Sequence, residues 1–327
     1  MGEFHSAMKA ARVQALWEAK GRNDVEQLAP HIWHWGEISP LLDGAVAATS
    51  MDAERRVLLL SNPAFAGTTL GGAGLNLGVN FQVLMPGESA RPHRHTMHAI
   101  RFVLEGEGVE TVVEGKTCPM GPGDLVLTPG MTWHEHVHRG KGRCVWIDAL
   151  DVPLQRYLGT LHFEPGPVHD LLAVPPDAVF RHGGMTGPDR IGGLPFSPLF
   201  RYAWSDAEQA LAELPPEKDG SKRLRYTNPV TGEAVLPTVD CALWQLKKQA
   251  PTQRVRSNSE SVFVVFRGAG ESQVGSARIA WSDKDVFTAP HGSIVQHRGD
   301  SEECVLFEIS DREVLRRLGL LRESVVS

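Results

Sequence analysis

Three histidines are spaced as the ligands of one metal ion. His93 and His95 are separated by a single residue, and His134 follows later in the chain. Side chains alternate between the two faces of a strand, so the His-x-His pair presents both imidazoles on the same face. The third imidazole has to come from a later strand that folds back beside the first. Three neutral imidazoles leave coordination positions open, which predicts a reactive metal site instead of a closed structural one.

The composition fits a globular protein and excludes several other classes. Of the 327 residues, 42% are apolar and 22% charged, and the net charge of −6 comes without a basic block, which argues against a nucleic-acid partner. The four cysteines form no close pairs, as expected in a reducing compartment. The sequence contains no apolar run approaching the roughly 18–20 residues of a membrane span and no signal-peptide pattern. We therefore expect no membrane partner and a cytoplasmic location.

Short β-type runs surround the histidines. They are interrupted by glycine and proline, a pattern typical of β-barrels and β-sandwiches. The N-terminal part is predicted to be a helical arm, and a mixed stretch with one helix separates two β-rich regions. The predicted strands cover residues 81–84, 99–104, 108–113, 124–128 and 144–150, and the predicted helices cover 10–19 and 206–214.

The chain repeats itself with an offset near 160 residues. Residues 103–108 recur at 265–270, and residues 144–151 recur at 304–311. A third match, between the helical tails that follow, makes chance improbable and indicates two copies of one β-barrel module. The predicted division is an N-terminal arm (1–60), a metal-binding barrel (61–160), a mixed linker (161–225) and a second barrel with a C-terminal helix (226–327).

The second copy lacks the metal ligands of the first. Alignment of the two copies places Val255, Ser257 and Val295 at the three histidine positions. These side chains do not bind metals, so we expect a metal-free second barrel that serves packing and assembly. His297 lies nearby, but a single imidazole does not make a metal site.

The two metal-binding segments resemble the sequence motifs of the cupin superfamily. The first motif is matched by Gly87, His93, His95 and Gly106, and the second by Gly123, Pro129 and His134. The usual glutamate ligand of the four-ligand cupin pattern would fall at Ala99. The resemblance therefore implies three histidines and no carboxylate.

Within the cupins, the stretch from His93 to Gly106 is similar to the gentisate and salicylate 1,2-dioxygenases. Further similar segments run through nearly the whole chain, at residues 54–58, 62–63, 132–136, 146–151, 198–204 and 224–229. The resemblance implies a mainly β bicupin, with two double-stranded β-helix barrels. It also implies one Fe(II) per subunit and a homotetramer.

The implied activity is an extradiol-type ring cleavage in the catabolism of aromatic compounds. A small aromatic ortho-hydroxy acid and O₂ would be the substrates. Both oxygen atoms would be inserted between the carboxyl-bearing carbon and the adjacent hydroxyl-bearing carbon. Gentisate and salicylates substituted at the 5 position fit this description.

Three further residues are expected to do chemistry beside the metal. Arg101 is predicted on the side of the ligands, where its guanidinium can pair with a substrate carboxylate. His136 shares the face of His134 and is predicted to act as an acid or base. Asp148 lies in an apolar strand, where an unpaired carboxylate is costly, so we expect it to orient His136 or another polar group of the pocket.

Four residues are expected to contact the substrate with Arg101. Gln82 would face the barrel interior, Arg56 would reach in from the N-terminal arm, and Trp133 precedes the third ligand. Gly78 stands where the family usually carries an aromatic residue, and a glycine there predicts room for a substituent at the ring's 5 position.

The other histidines near the site are expected to be structural. His98 has the opposite strand parity to His93 and His95, so it should point away from the ligands. His138 is predicted to lie in an exposed turn.

Three alternatives remain open on the sequence. The same histidines suit zinc. The chain could be another metallo-cupin, such as a diketone dioxygenase, an isomerase or a decarboxylase. It could also be a non-catalytic ligand-binding bicupin, which a metal assay would separate from an enzyme. The combination of Arg101, His136 and Asp148 with the near full-length resemblance favours the ring-cleaving dioxygenase.

Overall fold

A computed structural model describes residues 2–13, 28–49, 56–65, 72–180 and 193–326. The fold of these residues is mainly β, as predicted, with 22 strands in four sheets and five α-helices. No helix in the described part of the chain is long and apolar enough to cross a membrane.

The first half of the chain contains the strands that carry the histidines. Its strands are β1 (Ile32–Trp33), β2 (Val57–Leu59), β3 (Gly78–Leu84), β4 (Ser89–His95), β5 (Ala99–Glu105), β6 (Val109–Val113), β7 (Lys116–Met120), β8 (Leu125–Thr128), β9 (His134–His138), β10 (Cys144–Leu150) and β11 (Phe163–Pro165). Its helices are α1 (Gly2–Ala10), α2 (Trp35–Ala48) and α3 (Val152–Leu158).

The second half repeats this succession after a short strand and a helix. Its strands are β12 (Arg201–Tyr202), β13 (Lys222–Arg225), β14 (Asp240–Gln245), β15 (Arg254–Ser257), β16 (Ser261–Arg267), β17 (Gly270–Val274), β18 (Ala277–Trp281), β19 (Val286–Ala289), β20 (Ile294–Gly299), β21 (Val305–Ser310) and β22 (Glu323–Val326). Its helices are α4 (Trp204–Glu213) and α5 (Arg312–Arg317).

Each barrel consists of one six-stranded and one five-stranded sheet. In the first barrel the strand orders are β12-β8-β5-β10-β3-β2 and β11-β4-β9-β6-β7. In the second they are β1-β19-β16-β21-β14-β13 and β22-β15-β20-β17-β18. Every strand of the first barrel has a counterpart at the same place in the second, which confirms the predicted pair of barrels.

The arm and the linker both contribute strands to the barrel sheets. From the arm, β1 pairs with β19 of the second barrel and β2 pairs with β3 of the first. From the linker, β12 pairs with β8 of the first barrel and β13 pairs with β14 of the second. The added strands pair with backbone groups at sheet edges that would otherwise be open. The predicted boundaries at 60/61 and 225/226 therefore separate β2 and β13 from the sheets that they join.

The predicted long strands are found and the shortest ones are new. Residues 99–104 and 144–150 fall in β5 and β10, and the helix predicted over 206–214 is α4. Strands of two or three residues were not predicted, because so few residues show no alternation. The predicted helix over 10–19 lies largely outside the described residues, since residues 14–27 are not described.

The two barrels share one apolar core. Phe102 of the first stacks on Phe307 of the second, with ring centroids 4.0 Å apart, and meets Phe266 edge to face at 5.3 Å. Such aromatic pairs stabilise beyond the area that they bury. All four cysteines are free and buried.

Two equivalent polar junctions also join the barrels. Asp151, which directly precedes α3, accepts a hydrogen bond from the Thr238 hydroxyl of the other half at 2.7 Å. Asp311, which directly precedes α5, accepts one from the Asn76 amide at 2.6 Å. Beside Asp311, the Glu260 carboxylate accepts three backbone N–H groups of residues 75–77. These contacts tie the segment that leads into β3 to the second barrel.

Candidate metal centre

The three predicted ligands meet on one sheet. β4 and β9 are antiparallel neighbours, and His93 lies directly opposite His134. The His134 ring centroid is 4.3 Å from that of His93 and 4.8 Å from that of His95. One ring nitrogen from each residue lies within 4.8 Å of the other two. All three side chains are buried, so this cluster is an interior site.

The backbone fixes which nitrogen of each imidazole faces the cluster. Each Nδ1 lies against a carbonyl oxygen, which only accepts hydrogen bonds, so Nδ1 carries the proton and Nε2 keeps its lone pair. The carbonyls are those of Arg91 for His93 at 2.8 Å, Met97 for His95 at 2.9 Å and Thr132 for His134 at 2.9 Å.

The cluster has the properties of a metal site. Burial lowers the pKa of His95 to about 3 and holds the pKa of His134 well below its usual range, so both imidazoles are neutral near pH 7. The His134 Nε2 atom is buried and has no hydrogen-bond partner in the described part of the chain. An unsatisfied buried lone pair is costly, and a metal ion would satisfy it. The residues present therefore fit a divalent metal held by three histidines.

Arg101 is held by two neighbouring strands. Its Nε lies 3.2 Å from Asp148 Oδ1 on β10, and its Nη1 donates to Thr128 Oγ1 on β8 at 2.6 Å. Among the described residues, no partner contacts Nη2. Burial raises the pKa of the Asp148 carboxyl, and the Arg101 charge opposes that shift. The structure thus brings Arg101 and Asp148 together as a buried pair.

His136 is oriented by Thr111, and of the two roles expected for Asp148 the structure shows the contact with another polar group of the pocket. The His136 Nδ1 lies 2.8 Å from Thr111 Oγ1, and the same hydroxyl donates to the Met120 sulfur at 3.0 Å. When the Thr111 hydrogen points to the Met120 sulfur, the Nδ1–H of His136 donates to Thr111. Its Nε2 then carries the lone pair. Asp148 instead pairs with Arg101, its direct neighbour across β5 and β10.

His136 lies beside the three histidines, and its side chain is buried. Its ring centroid is 6.1 Å from that of His134 and 5.7 Å from that of Trp146. Burial holds its pKa well below the usual range, so it is a neutral base near pH 7.

Gln82 and Gly78 lie on the same face of β3 but in different parts of the strand. Gln82 is buried and lies opposite Trp146 of β10. Gly78 begins the strand, four residues and roughly 13 Å away. A Cβ added to Gly78 would lie 3.7 Å from the Leu150 carbonyl oxygen and 3.8 Å from Pro153. A side chain at position 78 would thus begin next to α3.

Arg56 is engaged elsewhere. Its guanidinium forms a bidentate pair with Glu88, at 2.5 and 2.8 Å, and its Nε donates to Thr49. Glu88 directly precedes β4, so the pair fixes the start of the ligand-bearing strand to the N-terminal arm.

The structure does not bring Trp133 into the site. The Arg94 guanidinium lies over the Trp133 ring, 4.7 Å from its centroid. The His169 ring meets it edge to face, with centroids 5.0 Å apart. Trp133 directly precedes His134, and side chains alternate along an extended chain. It therefore lies on the opposite face of the sheet from the ligands.

Two of the neighbouring histidines are structural. His98 accepts the Gly130 N–H at Nδ1, at a distance of 3.0 Å, which agrees with the structural role expected for it. The expectation that His138 is exposed is wrong, because it ends β9 with its side chain buried. Its ring contacts the Gly142 carbonyl at 2.6 Å and the Gly140 N–H at 2.9 Å, which closes the loop between β9 and β10.

Sequence reasoning did not identify the residues that orient the site. Thr111 is the polar member of the inward row of β6, between Val109 and Val113. That pattern was a usable signal, because a polar side chain on a buried face needs a partner. Thr128, which holds Arg101, follows an apolar run and gave no such signal.

The equivalent positions of the second barrel carry no ligands. Val255 lies opposite Val295 in the register that His93 and His134 adopt in the first barrel. The other group of potential ligands in the described residues is Glu260, His291 and Asp311. Their carboxylates accept hydrogen bonds at the barrel junction described above, so they act there as structural acceptors.

The comparisons with known proteins agree with this geometry. A cupin domain matches residues 80–151. The gentisate 1,2-dioxygenase 1 of Aquipseudomonas alcaligenes is 33% identical, over 98% of this chain and 95% of that protein.

The chain belongs to the gentisate and salicylate 1,2-dioxygenase family. It is thus an enzyme, a dioxygenase built on the cupin fold. The family also includes the 5-aminosalicylate 1,2-dioxygenase of a Comamonas species, 34% identical over 90% of this chain and 81% of that protein. The salicylate 1,2-dioxygenase of Pseudoaminobacter salicylatoxidans superimposes with a TM-score of 0.91 at 28% identity, covering 99% of this chain and 96% of its own. A structure of the same enzyme is described as an adduct with gentisate, at a TM-score of 0.90 and 93% coverage of that chain.

Proposed function

We propose that this enzyme uses Fe(II) to cleave the ring of gentisate or of a 5-substituted salicylate. Both atoms of O₂ enter between the carboxyl-bearing carbon and the adjacent hydroxyl-bearing carbon. The observation that carries the proposal is the buried cluster of three histidines with Arg101 and His136 beside it. Relatives named for gentisate and 5-aminosalicylate support the same substrate class.

The metal and the side chains have separate tasks. When bound by His93, His95 and His134, a ferrous ion supplies open coordination positions and a path for electrons from an electron-rich ring to O₂. Three histidines also suit zinc. Zinc has no accessible redox change, so family membership favours iron.

Arg101 is proposed to bind the substrate carboxylate. Asp148 and Thr128 hold Nε and Nη1, and the Nη2 side of the guanidinium is proposed to face the carboxylate. A guanidinium fixed in this way loses little conformational entropy when it binds an anion. Gln82 is proposed to line the same pocket and contact the substrate.

His136 is proposed to take the proton of the ortho hydroxyl. Its Nδ1–H is proposed to donate to Thr111, so that the Nε2 lone pair is the basic site. Burial keeps that nitrogen unprotonated near pH 7, the state that a general base requires.

Oxygen uptake by protein loaded anaerobically with Fe(II) tests the proposal. Gentisate, salicylate, 5-aminosalicylate, 5-halo- and 5-nitrosalicylate, and 1-hydroxy-2-naphthoate should be compared. His93→Ala should abolish uptake with every substrate, whereas His169→Ala, which removes a half-exposed histidine, should retain it. Iron binding without uptake on any hydroxybenzoate would favour another metallo-cupin enzyme. Protein without stoichiometric iron affinity would favour a non-catalytic bicupin.

Arg101→Lys tests the carboxylate contact while keeping a charge opposite Asp148. Loss of the planar guanidinium should lower kcat/KM. The expected decrease corresponds to about 1.5–3 kcal/mol of transition-state stabilisation, the range for a hydrogen bond to a charged group. Arg94→Lys is the matched control, since Arg94 lies with Trp133 on the other face of the sheet. Equal kinetics in both variants would remove Arg101 from the substrate site.

Gly78 is proposed to leave room for a substituent at the ring's 5 position. Gly78→Phe should then reduce turnover of 5-nitrosalicylate more than that of salicylate. Equal effects on the two substrates would place the 5 position away from β3. A cytoplasmic homotetramer is part of the same proposal and is supported by the family resemblance.

A further inference from the structure

The second barrel contains a cavity where the first barrel has its metal centre. The cavity has a volume of about 380 Å³. Its walls include Val255, Ser257 and Val295, the counterparts of the three histidine ligands. The space between these smaller side chains is therefore open. Its volume lies within the range of small-molecule sites.

Aromatic side chains have replaced two polar groups of the first site. Trp244 stands at the position of Gln82, and Phe263 at the position of Arg101. The ring of His297 lies 4.7 Å from Phe263 and 5.8 Å from Trp244. The Trp244 and Phe263 rings are inclined to the His297 ring by 59° and 67°, so together they form an angled aromatic pocket whose faces and edges can pack against an aromatic ligand.

His297 presents an N–H group in this pocket. The indole N–H of Trp281 donates to Ser272 Oγ at 2.8 Å, and Ser272 Oγ lies 2.7 Å from His297 Nδ1. Since Trp281 can only donate, the Ser272 hydroxyl hydrogen turns to its other described partner, His297 Nδ1. The neutral imidazole then carries its proton on Nε2. His297 is thus a hydrogen-bond donor at Nε2, whereas its counterpart His136 is proposed to act as a base.

The cavity also retains a buried acid whose charge is compensated. Glu308 pairs with Arg223 at 3.0 Å and accepts the Trp244 indole N–H at 2.8 Å through the same oxygen. Its other oxygen accepts the Ser261 hydroxyl at 2.9 Å. A carboxylate oxygen has room for a second donor. Arg223 is already paired with Glu308. An anionic ligand in the cavity would therefore be repelled by the Glu308 charge, and Arg223 could not neutralise both anions.

We propose that this cavity binds a small, neutral phenolic compound. Its ring packs against Trp244 and Phe263, and its hydroxyl oxygen accepts the Nε2–H of His297. Its hydroxyl hydrogen donates to the Glu308 carboxylate. An aromatic carboxylate is disfavoured by the charge of Glu308. The site is distinct from the metal centre and does not depend on the reaction that occurs there.

Crystals of the iron-loaded enzyme soaked with 4-bromophenol locate the ligand directly. The anomalous signal of bromine should appear in the second-barrel cavity. An equal soak with 4-bromobenzoate, a planar anion of similar size, should give no signal there. His136→Phe, the matched change in the first barrel, should leave the cavity signal in place.

Calorimetric titration with 4-bromophenol measures the same site in solution. His297→Phe keeps an aromatic wall but removes the donor, and it should weaken binding at this site by about three- to tenfold. Val295→Phe fills the cavity and should abolish binding there, and a retained melting temperature would show that both variants fold. Absence of bromine from the cavity, or wild-type affinity in both variants, would overturn the proposal. Preference for 4-bromobenzoate in the cavity would overturn the ligand class.

Discussion

In the first barrel, β4 and β9 bring His93 against His134, while in the second barrel β15 and β20 bring Val255 against Val295. The strand order and the register are the same in both. The two barrels therefore share the positions at which a metal site can stand, and the side chains at these positions decide whether it does. Each half of the molecule serves as a control for the other.

One histidine is kept in both barrels, but the hydroxyl that contacts it has a different second partner in each. His136 and His297 both contact the hydroxyl of a neighbouring strand. Behind that hydroxyl stands the Met120 sulfur in one barrel and the Trp281 indole N–H in the other. A sulfur can only accept and an indole can only donate, so the Thr111 hydrogen has a second acceptor that the Ser272 hydrogen lacks. A residue two contacts away thus influences which nitrogen of the imidazole carries the proton.

A buried acid is also kept, but its arginine comes from a different strand. Asp148 pairs with Arg101 of β5, whereas Glu308 pairs with Arg223 of β13. The side chain of Arg101 is only 6% exposed, compared with 31% for Arg223. Burial of an acid requires a cation close by, and either neighbouring strand can supply it.

Loss of a ligand should have the largest effect on this comparison. His134→Ala removes one of three ligands, so bound iron should fall from about one per subunit to background. Val295→Ala, the equivalent change in the second barrel, should leave the iron content as it is. Elemental analysis after loading and desalting measures both. Retention of iron in His134→Ala would contradict the three-histidine site.

Removal of the buried acids should show how far the two ion pairs differ. Asp148→Asn leaves Arg101 charged and buried, and it should lower the free energy of unfolding by about 3–5 kcal/mol. Glu308→Gln should cost less, about 1–2 kcal/mol, because Arg223 keeps contact with water. Urea denaturation at 25 °C gives both values. A larger loss in Glu308→Gln would reverse this ranking.

The two barrel junctions should respond to pH in opposite directions. Burial, reinforced by Asp311, raises the pKa of Glu260 to about 7, compared with a usual value of 4.5. A raised carboxyl pKa stabilises the fold below about pH 4.5, and that stabilisation is lost as the pH rises through about 7. The stability advantage of the wild type over Glu260→Gln should thus shrink by roughly 2–3 kcal/mol between pH 5 and pH 8.

At the other junction, burial lowers the pKa of His98. Neutral His98 therefore contributes to the free energy of unfolding above about pH 6.5. This stabilisation is lost as the pH falls, because protonated His98 cannot accept the Gly130 N–H. The advantage of the wild type over His98→Gln should therefore grow as the pH rises. Melting temperatures across this range measure both variants, and parallel curves would contradict the comparison.

The smallest expected effect concerns the orientation of His136. Thr111→Val keeps the shape of the side chain but removes the hydroxyl that holds Nδ1. The kcat should fall about tenfold, or about 1.4 kcal/mol, with little change in KM, because the base is misplaced while carboxylate binding remains. Thr117→Val, on the exposed face of β7, is the matched control and should be unaffected. A change in KM alone would assign Thr111 to packing.

The spacing of His93, His95 and His134 predicted the cluster because strand periodicity is a local property. The repeat predicted the second barrel, and the substitutions at Val255 and Val295 predicted its lack of ligands. Roles that depend on partners were less accessible. Of the alternatives expected for Asp148, the structure shows a pocket donor, Arg101, and not His136. Trp133, expected to contact the substrate, packs against Arg94 on the other face of the sheet. Arg56 gave no sign of its pairing with Glu88, which lies 32 positions away.

By itself, the sequence determined the β class, the duplication and the three histidines that form the cluster, since periodicity and self-similarity can be recognised along the chain. The tertiary structure alone decided which nitrogen of each imidazole is free and which cation neutralises each acid. It also decided that the unligated barrel keeps an open cavity. These properties depend on atoms from distant strands within hydrogen-bonding range, and only the folded chain brings them together.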